Sequence, residues 1–279
     1  MRPHFFTSAV WSLSRLSTTS ATLTSSSSAT ALLRASSALR SLPLGTCNPQ
    51  RLFVTSSHQC SAVKPQPRTA ASNPTTMATK TGTIIDLIKL RRTIYGLNKE
   101  LPISTDRVQE IVKDALRHIP SSFNSQSNRV LVVFGADHDK LWDITSDVLK
   151  AIVPAEQWES TAGRIASFKA GAGTVLFFED QAVVKKMQTD FALYSDRFPV
   201  WASQTDAMLQ FTIWTALSAE GVGANLQHYN PLIDAKVANE WGIPETWQLN
   251  AQLVFGGKTG EAGEKDFKPL EEIYKIAGV

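Results

Sequence analysis

Residues 200–219, VWASQTDAMLQFTIWTALSA, constrain the fold of this chain more than any other segment. They read as one long helix. Trp201, Met208, Leu209, Phe211, Ile213, Trp214 and Leu217 put apolar surface on more than one of its faces. A helix that is apolar all round must be covered on several sides, by the core of its own domain or by a second subunit. The bilayer is not the cover, because no stretch reaches the roughly 18 apolar residues that a membrane helix needs.

The elements around this helix alternate in type. Residues 83–92 predict a first helix. Ser104 and Asp106 open a second, in which Val108, Ile111, Val112, Ala115 and Leu116 recur at the three-and-four spacing of one buried face. VLVVF at 130–134 and TVLFF at 174–178 predict buried strands, and 248–255 alternates as a third. Further helices are expected over 138–152 and 180–190, from Asn230-Pro231 as N-cap and first position, and over 269–276; Pro154 starts a turn or helix through Trp158. Helices interleaved with few strands predict one α+β domain of stacked layers.

The first 85 residues contain eight basic residues and no acidic one, and they are rich in Ser, Thr and Ala. That composition marks a mitochondrial-type transit peptide followed by a linker, over residues 1–81, with the folded domain over 82–279. The expected destination is the matrix. Met77 offers a second start, and with it a cytosolic form. The chain as a whole carries 28 basic and 25 acidic residues; removing the leader leaves 28 − 8 = 20 basic against 25 acidic, a net charge of −5. The basic balance therefore belongs to the leader and gives no reason to expect a nucleic-acid partner. Cys47 and Cys60 also lie in the leader. The folded part then has no thiolate nucleophile and no cysteine ligand for a metal. Asp137-His138-Asp139 reads as a solvated helix start rather than a metal site, and no metal is expected.

Three segments carry chemistry. Pro120 to Ser127, PSSFNSQS, falls between a helix and a strand and offers Ser122, Asn124, Ser125 and Gln126 as mixed donors and acceptors. It suits a flat, heteroatom-rich ring, or it is a polar turn. Arg91-Arg92-Thr93 can clamp a phosphate by charge-assisted bonds, or it simply places basic charge at a helix C-terminus. Gly221 and Gly223, within GVGANL, allow close approach of a planar ligand. They do not make a dinucleotide fingerprint, since Leu226 takes the place of the third glycine and a helix precedes them. Gly256-Gly257-Lys258-Thr259 is not a P-loop, because Gln252 stands where the earlier glycine is required.

Taken together, RRT, PSSFNSQ, the glycine turn after a central helix and a basic residue near the C-terminus resemble the FMN-dependent nitroreductase family. GVGANLQHYNP and GEKDFKPLEE are similar to its fungal fatty-acid-regulation subgroup and the bacterial relatives of that subgroup. The resemblance implies a layered fold, with a central, mostly antiparallel sheet flanked by helices, in an intertwined homodimer with flavin at the interface. It implies that Arg91, Arg92 and Thr93 hold the FMN phosphate and ribityl chain, with Lys258 as a second phosphate ligand. Ser122, Asn124 and Gln126 would meet the ribityl or ring, and Gly221, Gly223 and Asn225 would lie beside its pyrimidine edge. His228 and Tyr229 are candidate substrate residues, or a packed pair at a helix entry.

The implied activity is oxidation of NADH or NADPH and ping-pong reduction of nitroaromatic or quinone-type acceptors, in an oxidative-stress setting. The flavin carries the chemistry, so no catalytic side chain is required. Two departures bear on flavin affinity and substrate choice: Tyr95 replaces a basic residue of the common RRS-x-R pattern, and Ser127-Asn128 replaces Pro-Trp. The alternative reading is a non-catalytic flavin- or lipid-binding regulator of the same fold.

Overall fold

The computed structural model describes residues 80–279. Residues 1–79 of the expected leader and linker, with Cys47, Cys60 and Met77, lie outside the described residues.

The described residues open on α1 (Lys80–Leu90), and a short connection leads from it into the two-residue strand β1 (Leu97–Asn98). Ser104 caps α2 (Thr105–His118): its Oγ accepts from the Arg107 N–H at 3.1 Å. Val108, Ile111, Val112 and Ala115 are buried as their spacing predicts, whereas Leu116 turns outward. The chain then runs through β2 (Asn128–Phe134), α3 (Gly135–Lys150), α4 (Ala155–Lys169) and β3 (Gly173–Asp180). It continues with α5 (Gln181–Asp190), α6 (Phe198–Ala219), β4 (Gly223–Gln227), α7 (Asp234–Trp241), β5 (Trp247–Lys258) and the single turn α8 (Leu270–Ile273).

Every strand pairing is antiparallel. β5 pairs with β3, β4 and β1, and β3 also pairs with β2. Alternation along the strands feeds two cores, one on each face of the sheet. Leu176, Phe178 and Val254 point into a layer with Leu141 and Trp142 of α3, Phe168 of α4 and Val237 of α7. Val175, Phe177, Leu253 and Phe255 meet Val108 and Val112 of α2 and Leu209, Ile213 and Leu217 of α6. A register shift between Phe177 and Phe178 leaves Asn250 of β5 unpaired, so Leu249 and Ala251, two residues apart, enter different cores.

Several elements differ from expectation for physical reasons. β2 lies at the edge of the sheet, so Val130, Leu131 and Val132 are half-buried rather than buried; an apolar run does not distinguish an edge strand from a central one. α4 continues to Lys169, well beyond Trp158. Asn230-Pro231 occupies a turn, and α7 starts only at Asp234. His138 is fully buried, not solvated. Its Nδ1 accepts from the Thr174 hydroxyl at 2.9 Å and its Nε2–H donates to the Lys169 carbonyl at 3.3 Å. Thr174 Oγ1 in turn accepts from Trp142 Nε1 at 3.2 Å. This chain of bonds suits the neutral ring, and burial lowers the pKa of His138.

Gly256 and Gly257, in the segment that mimics a P-loop, have a packing role. A Cβ on Gly257 would lie 2.0 Å from the Glu100 carbonyl oxygen and 2.4 Å from Asn98 Oδ1, and one on Gly256 would lie 2.3 Å from the Asn98 carbonyl oxygen. The backbone around β1 therefore crosses β5 at a distance that only glycine allows. Gly257→Ala is expected to cost about 2 kcal/mol through displaced backbone. Urea unfolding of the variant checks this, and an unchanged midpoint would refute the crossing as the reason for glycine.

Candidate functional site

Candidate residues collect at two ends of the molecule. At the first end, α1 stops at Leu90, and the N–H of Arg91 still bonds back to the Leu87 carbonyl at 3.0 Å. The Arg91 guanidinium carbon sits 4.4 Å from the ring centroid of Trp214 on α6. Its Nε is buried and has no hydrogen-bond partner among the described residues. Burial, and secondarily the charge of Arg92, lowers the Arg91 pKa, though a guanidinium stays charged. Arg92 Nη2 donates to the Gly263 carbonyl, which ties down the segment after β5. Thr93 follows, and the Ile94 N–H beyond it donates to the Ala224 carbonyl of β4 at 3.0 Å. Lys258 ends β5 opposite Leu97 and is exposed.

The glycine turn joins this end but is filled by the chain itself. Gly221 has φ +82° and follows α6, where the Val222 N–H bonds back to the Leu217 carbonyl at 3.0 Å; it closes the helix. A Cβ on Gly223 would lie 2.8 Å from Leu97 Cδ2 and 2.9 Å from Lys258 Cγ, so glycine here lets the chain's own side chains approach β4. Asn225 is fully buried; its Nδ2 donates to the Ile94 carbonyl at 2.9 Å and its Oδ1 accepts from Gln227 at 2.8 Å. Its amide thus fastens the Arg91–Ile94 segment to β4. Tyr229 packs edge-on against Trp142 at 5.8 Å, and burial pushes its pKa up to about 12, as a core aromatic; His228 beside it is exposed.

At the second end stands the Pro120–Ser127 loop. Phe123, Asn124 and Gln126 adopt φ of +54°, +52° and +50°. Three non-glycine residues in left-handed backbone store roughly 1–3 kcal/mol each and mark functional loops. The Gln126 N–H bonds to Ser121 Oγ at 3.0 Å, closing the loop. Phe123, 51% exposed, lies among Phe191, Tyr194, Phe198 and Trp201, with ring centroids 4.6–6.1 Å away. On its other side the loop borders an open cleft of about 440 Å³ against α2, lined partly by Lys113, Arg117 and Asn128.

These two ends do not meet within one chain. The loop packs on Trp201 and Arg91 packs on Trp214, both on α6 and 13 residues apart, about 20 Å along a helix. The sheet agrees with this: Asn128 aligns with Glu179 and Gln248, whereas Lys258 lies at the far end of the same strand β5. Spacing in sequence could not reveal this separation.

Below the loop lies a cluster that sequence reading missed. Ser127 and Asn128, at the positions of the Pro-Trp departure, are buried. Ser127 Oγ stands 3.5 Å from Glu179 Oε1. Glu179 is 5% exposed and its carboxyl is pushed up to about 7, first by burial and then by the charge of Asp206. Asp206, 2% exposed, is pushed up to about 6 by burial, against hydrogen bonds from Asn250 at 3.0 Å and Gln210 at 2.7 Å. The bulge at Asn250 is what aims that amide at α6. An acidic residue in the middle of the most apolar helix was the available signal.

A helix-flanked antiparallel sheet with a cationic end and a strained polar loop defines the class of protein expected from the motifs. The chain belongs to the nitroreductase family: the family model described as "Nitroreductase family" matches residues 88–257. HBN1 of Saccharomyces cerevisiae is 40% identical over 188 residues, which cover 66% of this chain and 93% of HBN1. The nitroreductase CinD from Lactococcus lactis, solved in complex with nicotinic acid, is 47% identical, with a TM-score of 0.66 over 70% of this chain and all of CinD. The FMN-dependent nitroreductase NfnB from Mycobacterium smegmatis, solved with NADPH, shares the fold at 16% identity and a TM-score of 0.55, over 71% of this chain and 99% of NfnB.

Proposed function

We propose that the chain is an FMN-dependent NAD(P)H oxidoreductase that reduces nitroaromatic or quinone-type acceptors, working as a homodimer whose flavin site is shared between copies. The observation that carries the reading is the Arg91 end, where the partly exposed Arg91 guanidinium, stacked on Trp214, stands next to Arg92 in the segment that leads into β1, opposite Lys258 of β5. Such a donor set fits an acceptor-rich dianion such as the phosphate of FMN. Bound there, FMN would supply the hydride- and electron-transfer chemistry that links NADH or NADPH to an acceptor.

The residues of the chain supply binding and orientation. Arg91, Arg92 and Lys258 would hold the phosphate, with Thr93 at the ribityl side. Asn225 acts at one remove, by pinning Ile94 and so the arginine segment. Gly221 and Gly223 shape the turn that carries β4 past Lys258. Ser122, Asn124 and Gln126 would approach the flavin from the second copy, since their own arginine end lies about 20 Å away. Met208 and Phe211 of α6 are 42% and 39% exposed, apolar surface suited to a subunit interface. No side chain has to act as nucleophile.

The leader supports delivery to the mitochondrial matrix, with a cytosolic form from Met77, and an oxidative-stress role remains part of this reading. The test is the visible spectrum of the purified chain. Flavin bands that bleach anaerobically with NADH or NADPH and return with a nitroaromatic support the enzyme. A folded, colourless protein that gains no bands with added FMN refutes it.

A further inference from the structure

We propose that Trp214 is a positioning residue for the cofactor phosphate: its indole face holds the Arg91 guanidinium in the plane from which it grips the anion. The proposal rests on the flavin reading above and adds a residue outside the RRT, PSSFNSQ and glycine-turn segments. Arg91 Cζ lies 4.4 Å from the Trp214 centroid, within stacking range of a guanidinium on an indole. Two buried atoms of this stacked pair, Arg91 Nε and Trp214 Nε1, have no hydrogen-bond partner among the described residues.

Both atoms are obligate donors, and neither side chain has an acceptor, so they cannot satisfy each other. Both atoms are closed off from solvent in the stack, which leaves the outer Nη groups of Arg91, a partly exposed residue, to meet an acceptor-rich group. The charge pattern selects an anion. Arg92 is adjacent, and burial together with its charge makes the free guanidinium of Arg91 less comfortable than in water.

The stack also accounts for a departure in the sequence. The common pattern of the family places a further basic residue where this chain has Tyr95, which is exposed. A flexible guanidinium loses rotamer freedom on binding, and a stacked one has lost much of it beforehand. Fixing one cation against an indole substitutes for adding another. The packing of α1 on the C-terminal half of α6 is what brings the two side chains together.

Riboflavin lacks the phosphate, so the ratio of its Kd to that of FMN isolates the phosphate contribution. The experiment titrates both ligands into flavin-stripped full chain and follows flavin fluorescence. Trp214→Leu is expected to lower the ratio about ten-fold, and Trp214→Phe, which keeps a ring, to stay within about three-fold of wild type. Arg91→Lys keeps the charge but loses the planar fork and is also expected to lower the ratio about ten-fold. An unchanged ratio in Trp214→Leu, or equal loss of FMN and riboflavin, overturns the proposal in favour of packing alone. If Trp214→Leu does not fold, Arg91→Lys decides, and a ratio at the wild-type value overturns it. Failure of the flavin reading looks different, because the wild-type chain then binds neither ligand, and the proposal falls with it.

Discussion

Mixing Arg91→Ala protein with Ser122→Ala/Asn124→Ala protein is expected to restore about a quarter of wild-type NAD(P)H oxidation from two preparations that are each nearly inactive. Arg91→Ala removes a charged phosphate contact and should weaken FMN binding on the order of 100-fold. The loop double variant removes polar contacts at the other end of the proposed site. If both ends belonged to one site in one chain, no mixture could recover activity. The two ends are instead about 20 Å apart along α6. In a two-fold dimer the arginine end of each copy would face the loop of the other.

Random exchange makes half of the dimers mixed. Each mixed dimer carries one site with both lesions and one with neither, so about one site in four is intact. Arg91→Ala mixed with Lys258→Ala is the control: both lesions lie at the same end, and each mixed site keeps one of them. Recovery in the first mixture only is the expected result. Activity at the floor in both, with subunit exchange verified by mass, would rule out a shared site.

The long apolar helix was legible because its composition alone demands cover on several sides, and α6 meets that demand with a buried face along Leu209, Ile213 and Leu217 and an exposed apolar face at Met208 and Phe211. The α2 cap at Ser104 and the strand cores at 174–178 and 248–255 were legible for the same local reasons, capping chemistry and alternation. What escaped depends on neighbours remote in sequence. Gly223 is glycine because Leu97, Lys258 and Ile94 crowd it. Asn225 is buried because Ile94, 131 residues earlier, needs a donor. β2 is an edge strand because, among the described residues, β3 alone pairs with it. The motif residues themselves were identified as separate segments, and no pattern in the chain says that PSSFNSQ and RRT lie at opposite ends of one helix. The polar pair Ser127-Asn128 read as a departure bearing on flavin affinity and substrate choice; its two members face different surroundings, Ser127 against the buried Glu179 and Asn128 in the cleft beside α2.

That pair yields the largest stability effect expected in the molecule. Glu179 has an ordinary pKa of 4.5 and is pushed up to about 7 in the fold, so the folded chain binds its proton more tightly than the unfolded chain does. The sign follows from linkage. Between pH 4.5 and about 7 the native state holds the extra proton, so stability is full below 4.5 and declines as pH rises through the folded value. At pH 8 the fold carries an ionised, buried Glu179 beside Asp206. Glu179→Gln removes that ionisation while keeping the shape, so its stability at pH 8 should exceed that of wild type by about 3 kcal/mol, at 1.36 kcal/mol per unit of pKa.

At pH 4.5 the two proteins should differ little, because the wild-type carboxyl is then neutral in the fold. The variant should retain a shallower fall of its own, from Asp206, whose pKa is raised from 3.8 to about 6. Urea unfolding at pH 4.5, 6 and 8 reads all three points. A Gln variant less stable than wild type at pH 8 would mean that ionised Glu179 is stabilised by partners beyond Ser127, and the protonated-pair account would then be wrong. A variant more stable by the same amount at every pH would trace the gain to packing and not to charge.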